Sequence, residues 1–252
     1  MNFNQDQLLK RSLNRWDIVL LMINSIIGAG IFGIPSKIFS LTSIYSVFAI
    51  LFCAIITLVF ILIFAEVATQ FERSGGPYLY TYEAFGKFPG FIIGWLALIS
   101  RMAAFAAVIN LLVDYLSYLN PVFTEFATRT ITIILICGFL FIINSRSVKS
   151  SSSLNNILAI FKLLPLIAFV IIGFFFINAQ YLELPKALPS TSSFASSIVI
   201  LIFAFTGWEA VLINTGEMSN PAKNIPFAMI ISTLFVAVFY ILIQVVSIGT
   251  FP

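Results

Sequence analysis

The sequence predicts an all-α integral membrane protein, and three observations carry that prediction. Sixty per cent of the 252 residues are apolar and 9% are charged, with a mean hydropathy of +1.07, whereas soluble domains carry roughly a quarter charged residues. The apolar residues fall in long runs at 17–40, 44–69, 91–118, 129–145, 155–178, 194–216 and 226–250, and a spanning helix needs roughly 20 mostly apolar residues. The runs are continuous, unlike the short alternating segments of barrel strands. In lipid the backbone must satisfy itself, which a helix does within one segment.

Taken in order, a polar segment over 1–16 precedes the first run, which is too long for a cleaved signal sequence. Turn residues separate later runs at Ser74-Gly75-Gly76-Pro77, Asn120-Pro121 and Leu184-Pro185-Lys186, and the serines at 150–153 read as a solvated turn. No linker marks a second, soluble domain. With the N-terminus in the cytoplasm, the inside segments hold Lys10, Arg11, Arg15, Arg73, Lys87, Arg146, Lys149 and Lys223, against Lys37, Arg129 and Lys186 outside. Eight against three favours that orientation, and seven spans put the C-terminal end on the outer side.

Several function classes fall away on composition. The net charge of +3 comes from scattered basic residues, so no nucleic-acid partner is expected. The chain has no histidine, and Cys53 and Cys137 sit inside apolar runs as small hydrophobes. Neither a metal set nor another cofactor is indicated. Without a paired nucleophile and base, an enzyme is not expected.

Two features are out of place in lipid. Arg101, Lys162 and Glu209 lie well inside the third, fifth and sixth runs, where a charge costs about 2.5–3.5 kcal/mol on insertion scales. They are expected to face the bundle interior or a wet cavity, in a functional role or in structural pairing. The second feature is Gly28, Gly30, Gly33 and Pro35 within the first run. Each glycine costs close to 1 kcal/mol against alanine, and proline donates no backbone bond. A break at Ile27-Gly28-Ala29-Gly30-Ile31-Phe32 follows, with a weaker counterpart at Phe205-Thr206-Gly207-Trp208-Glu209. Interrupted spans in corresponding positions point to a transporter site near the midplane. Half-helix N-termini suit a carboxylate and freed carbonyls suit an ammonium. Close helix packing through the glycines is the competing reading.

These residues also carry a resemblance. Ile27-Gly28-Ala29-Gly30-Ile31-Phe32-Gly33-Ile34-Pro35 resembles the first-helix signature of amino acid permeases of the amino acid–polyamine–organocation superfamily. Ala65-Glu66, Ser74-Gly75-Gly76-Pro77-Tyr78-Leu79-Tyr80, Glu83-Ala84-Phe85-Gly86, Gly90-Phe91 and Gly94-Trp95 resemble its second-to-third-helix segment. Phe203-Ala204-Phe205-Thr206-Gly207-Trp208-Glu209 and Glu217-Met218-Ser219-Asn220-Pro221-Ala222-Lys223-Asn224-Ile225-Pro226 resemble its sixth helix and the loop after it.

The resemblance implies a five-plus-five inverted-repeat transporter fold with discontinuous helices one and six. The first repeat is expected over 17–178 and the start of the second over 194–252. It also implies a site in which backbone N–H groups of Gly28, Ala29 and Gly30 hold the substrate carboxylate. Carbonyls of Ile26, Phe203, Ala204 and Thr206 hold the amino group, Phe203 gates the site, and Glu209 takes part in gating. Lys162 matches a fifth-helix lysine whose ammonium stands where related transporters place sodium. A desolvated lysine can lose and regain its proton, so proton coupling without sodium is expected. Ala29 departs from the serine or threonine of many members. Arg101 lies outside the signature and is a candidate for specificity against cationic side chains.

Family members have twelve spans, and here the second repeat is expected to be incomplete, truncated after about the seventh helix. The implied function is secondary transport of an amino acid or related amine across the plasma (inner) membrane, by proton symport or exchange. The alternative is a non-transporting amino-acid sensor, or one subunit of a split transporter whose C-terminal helices form a separate chain.

Overall fold

The computed structural model describes residues 13–28, 30–71, 73–146, 148–185 and 187–250. Helix occupies each of the seven apolar runs. The first run is split into α1 (Arg15–Ile26) and α2 (Gly30–Thr42), and α3 (Ser46–Ala68) follows. The short α4 (Pro77–Phe85) leads into α5 (Lys87–Leu119), α6 (Phe126–Arg146) and α7 (Val148–Phe174). The sixth run is again split, into α8 (Thr191–Ala204) and α9 (Glu209–Ile213), and α10 (Pro221–Thr250) closes the order. Apart from a lone parallel bridge between Leu13 and Met218, no strand occurs among the described residues. Among the described residues, five helical stretches are long and apolar enough to cross a membrane by length and composition, and Ile160–Phe174 adds a shorter apolar helix.

The serines at 150–153 lie inside α7, which corrects the expectation of a turn. From 148 to 164 the chain has neither glycine nor proline, and serine costs a helix only a few tenths of a kcal/mol against alanine. Composition suggested a turn, but nothing there breaks the hydrogen-bond ladder.

Local signals explain where the helices start. Asn14 caps α1: its side-chain oxygen accepts from Trp16 N–H at 2.9 Å and Asp17 N–H at 3.2 Å. Asp17 returns the bond by accepting from Asn14 N–H at 2.9 Å, completing a capping box. Asn14→Ala is expected to lower stability by about 1 kcal/mol. A thermal melt of the detergent-solubilised chain checks this, and a melt unchanged from wild type would show that the cap contributes nothing.

The chain divides into two compact units, one holding the described residues up to Trp95 and from Gly173 on, the other Leu96–Ile172. In the first, α10 packs most extensively on α3 and α1, while α8 packs on α2 and α3. Its core includes Ile18, Met22, Ile61, Leu201, Met229 and Tyr240, each less than 2% exposed. Lipid offers helices no hydrophobic drive to associate, so packing and interhelical hydrogen bonds must hold them. Three polar side chains on α10 meet that need against the split first run. Ser232 Oγ donates to Val19 O at 3.1 Å, Tyr240 Oη to Ile26 O at 3.2 Å, and Gln244 Nε2 to Pro35 O at 3.3 Å.

In the second unit, α5 and α6 are tied by Arg129. Its guanidinium meets Asp114 Oδ1 at 2.7 Å and donates to Asn110 Oδ1 at 2.8 Å. The apolar side chains of α6 are largely exposed, Ile134, Leu135 and Phe139 among them, as expected where the surrounding solvent is hydrocarbon.

Candidate functional site

The site is built from two helix breaks and the helix that crosses both. α1 ends at Ile26, and Ile27, at φ −70° and ψ 86°, turns the chain out of helical geometry. After Gly28 the helix resumes at Gly30. The gap is narrower than the sequence suggests, because Gly33 and Pro35 both lie inside α2. Proline's fixed φ suits a helix, and its missing N–H costs one bond. Ala29 lies outside the described residues.

The second break runs from Phe205 to Trp208, between α8 and α9, as the sequence predicts. Gly207 has φ +110°, and a Cβ there would collide with the carbonyl of Ser25. Only glycine fits such an approach without strain. The two breaks are stitched together at this point, since Ser25 Oγ donates to Gly207 O at 2.8 Å. Gly207 N–H in turn donates to Glu209 Oε2 at 2.9 Å. The half-buried Glu209 carboxylate, in the first turn of α9, thus satisfies a donor that the break sets free. Gly30 also lies close to the sixth run: a Cβ on it would stand 3.2 Å from Ala204 Cα.

Ile26, Gly28, Gly30, Phe203, Ala204, Thr206 and Glu209 all belong to the first compact unit. Arg101, exposed on α5, and Lys162, half-buried on α7, belong to the second. Three of the four carbonyls nominated for an amino group are already engaged. Thr206 Oγ1 donates to Phe203 O at 2.7 Å, and the Tyr240 hydroxyl donates to Ile26 O at 3.2 Å and Ala204 O at 3.0 Å. A carbonyl has two lone pairs, so Ile26 O and Ala204 O can each accept once more, whereas Phe203 O also accepts from Thr206 N–H at 3.3 Å. Phe203 is 39% exposed, an accessible ring beside the break.

Sequence reasoning missed Tyr240, Ser25 and Phe205. Phe205 is buried edge-on to the Tyr240 ring, centroids 5.3 Å apart. A signal for Tyr240 did exist: Ser232, Tyr240 and Gln244 recur at multiples of four in a mostly apolar run, which puts them on one helix face.

The motif blocks also meet at loops next to the site. Gly75 N–H donates to Ile213 O at 3.2 Å, and Gly216 N–H to Ser74 Oγ at 3.1 Å. Leu13 N–H donates to Glu217 O at 3.2 Å, and Ser219 N–H to Leu13 O at 3.0 Å. The Ser74–Pro77 turn and the segment ahead of α1 are thereby anchored on the two ends of the loop after the sixth run.

Comparison with known proteins covers the same ground. The serine/threonine exchanger SteT of Bacillus subtilis is 30% identical over 242 residues, covering 95% of this chain and 55% of that protein. The branched-chain amino acid permease BcaP of the same organism is 28% identical, covering 97% and 56%. An aspartate-proton symporter, also from Bacillus subtilis, is 26% identical over 96% of this chain and 48% of its own length. The chain thus spans about half the length of the curated relatives it matches. The amino acid permease family model aligns with residues 13–252. That match takes in both helix breaks and the turns anchored beside them, and this chain belongs to the amino acid permease family.

Proposed function

We propose that the chain carries the substrate-clamping part of a secondary transporter for amino acids or related amines, with its N-terminus in the cytoplasm and the plasma membrane as its setting. The observation that supports this best is the meeting of helix ends of opposite polarity. α1 and α8 bring C-terminal carbonyls to Tyr240, while α2 starts at Gly30 against Ala204. Helix C-termini carry partial negative charge and N-termini partial positive charge. A zwitterion fits both at once: the carboxylate on N–H groups at Gly28, Ala29 and Gly30, the ammonium on the carbonyls of Ile26, Phe203, Ala204 and Thr206. Backbone groups read what all amino acids share, which agrees with the range of substrates in the relatives' names. Phe203 acts as the lid over the bound substrate. Glu209 controls the break at Gly207 and so takes part in gating, and Arg101 biases side-chain choice.

Lys162 is the proposed coupling group, its ammonium cycling between charged and neutral forms. Amino-acid binding by the chain, and uptake by a complete transporter carrying it in proteoliposomes, test the whole reading. Amino-acid uptake is expected without sodium and with dependence on a proton gradient or on trans amino acid. Lys162→Ala is expected to reduce uptake at least about tenfold, as for loss of a general acid–base group. Sodium-dependent uptake that survives Lys162→Ala would sink the coupling scheme. Binding without uptake would assign the chain to a sensor or subunit role, and absence of both would end the amino-acid reading.

A further inference from the structure

We propose that Tyr240 is a positioning residue for the ammonium subsite, its single hydroxyl hydrogen tying the C-terminal ends of both broken spans together. The inference rests on the amino-acid reading above and adds to it a residue from a third helix. Tyr240 lies on α10 and is 1% exposed. Its hydroxyl stands 3.2 Å from Ile26 O and 3.0 Å from Ala204 O. Both separations exceed the usual O–H···O distance of about 2.7–2.8 Å, as expected where one hydrogen serves two acceptors.

Each carbonyl lies in the last turn of its half-helix, where no further turn supplies a donor. Brought together, two such ends present like partial charges to each other. Buried carbonyls without a donor are costly at membrane depth. The hydroxyl hydrogen between them relieves both problems and fixes the spacing of the two ends. Each carbonyl keeps a second lone pair, and an ammonium has three hydrogens to donate. The tyrosine therefore sets where the ammonium's acceptors stand without contacting the carboxylate end. Its ring is held by Phe205, 5.3 Å away edge-on, so the hydroxyl has little freedom to leave.

Tyr240→Phe keeps the ring and deletes the tie. In nanodiscs, the chain would be titrated with L-leucine and with 4-methylpentanoate, the same carboxylate lacking its amino group. Tyr240→Phe is expected to weaken L-leucine about tenfold while changing 4-methylpentanoate less than about twofold, as for loss of an aligned charged hydrogen bond. Ser232→Ala, which removes another α10 donor to the first span, is expected to leave that ratio unchanged. Equal losses for both ligands, or no loss for L-leucine, would overturn the positioning role. Hydrogen exchange without ligand reads the tie by itself: amides at 23–28 and 201–207 should both exchange faster in Tyr240→Phe, and unchanged exchange in either segment overturns it. If the wild-type chain binds neither L-leucine nor L-serine, the amino-acid reading fails and the ammonium role with it. The exchange result then still decides whether the two ends are tied.

Discussion

Replacing Gly207 with alanine is expected to lower stability by about 3–5 kcal/mol, the sum of backbone strain and overpacking. Two independent causes act on one position. At φ +110° an L-residue sits in a region its Cβ disfavours. The added methyl would also meet the Ser25 carbonyl, which is backbone and cannot rotate aside. Relief requires separating the breaks of the first and sixth runs, and with them the bond from Ser25 Oγ to Gly207 O. A thermal melt in detergent is expected to show a midpoint about 10 °C lower for a chain of this size. Gly138→Ala is the control. Gly138 lies in α6 with open space around its Cβ position, so alanine there should be neutral or stabilising by up to about 1 kcal/mol. Equal behaviour of the two variants would show that the close approach at Gly207 does not govern stability.

Glu209→Ala is expected to cost about 1.5–3 kcal/mol, the range for a hydrogen bond to a charged group. The carboxylate accepts from Gly207 N–H at 2.9 Å, and alanine leaves that donor without this acceptor in a half-buried break. Glu209→Gln keeps an oxygen in the same place and should lose less than half as much. The pair separates two roles for Glu209. If the carboxylate serves only to hold the break, Gln restores both the melt and substrate binding. If its charge takes part in gating, Gln restores the melt while uptake stays low. An Ala variant with an unchanged melting profile would remove Glu209 from the stitching of the break altogether.

The two helix breaks were legible in the sequence to different degrees. Gly207 beside Thr206 and Glu209 marked the sixth-run break, and the observed gap from Phe205 to Trp208 falls on it. In the first run, four helix breakers suggested an opening through Phe32, yet helix returns at Gly30. Glycine and proline set only the local cost of helix, and packing against Ala204 and α10 decides whether that cost is met. The serines at 150–153 show the same limit, since a polar composition did not stop α7.

By itself the sequence determined the solvent, the number of helical runs, their two weak points and the family signature. Each of these depends on properties that single residues or short windows carry: apolarity, length, and the backbone preferences of glycine and proline. Only the tertiary structure decided which groups the freed carbonyls meet. Tyr240 is 36 residues from Ala204 and 214 from Ile26, and local preference cannot rank partners at such separations. Burial can. In a core without water, a carbonyl at a helix end takes the nearest donor that packing brings to it, and here that donor stands on α10.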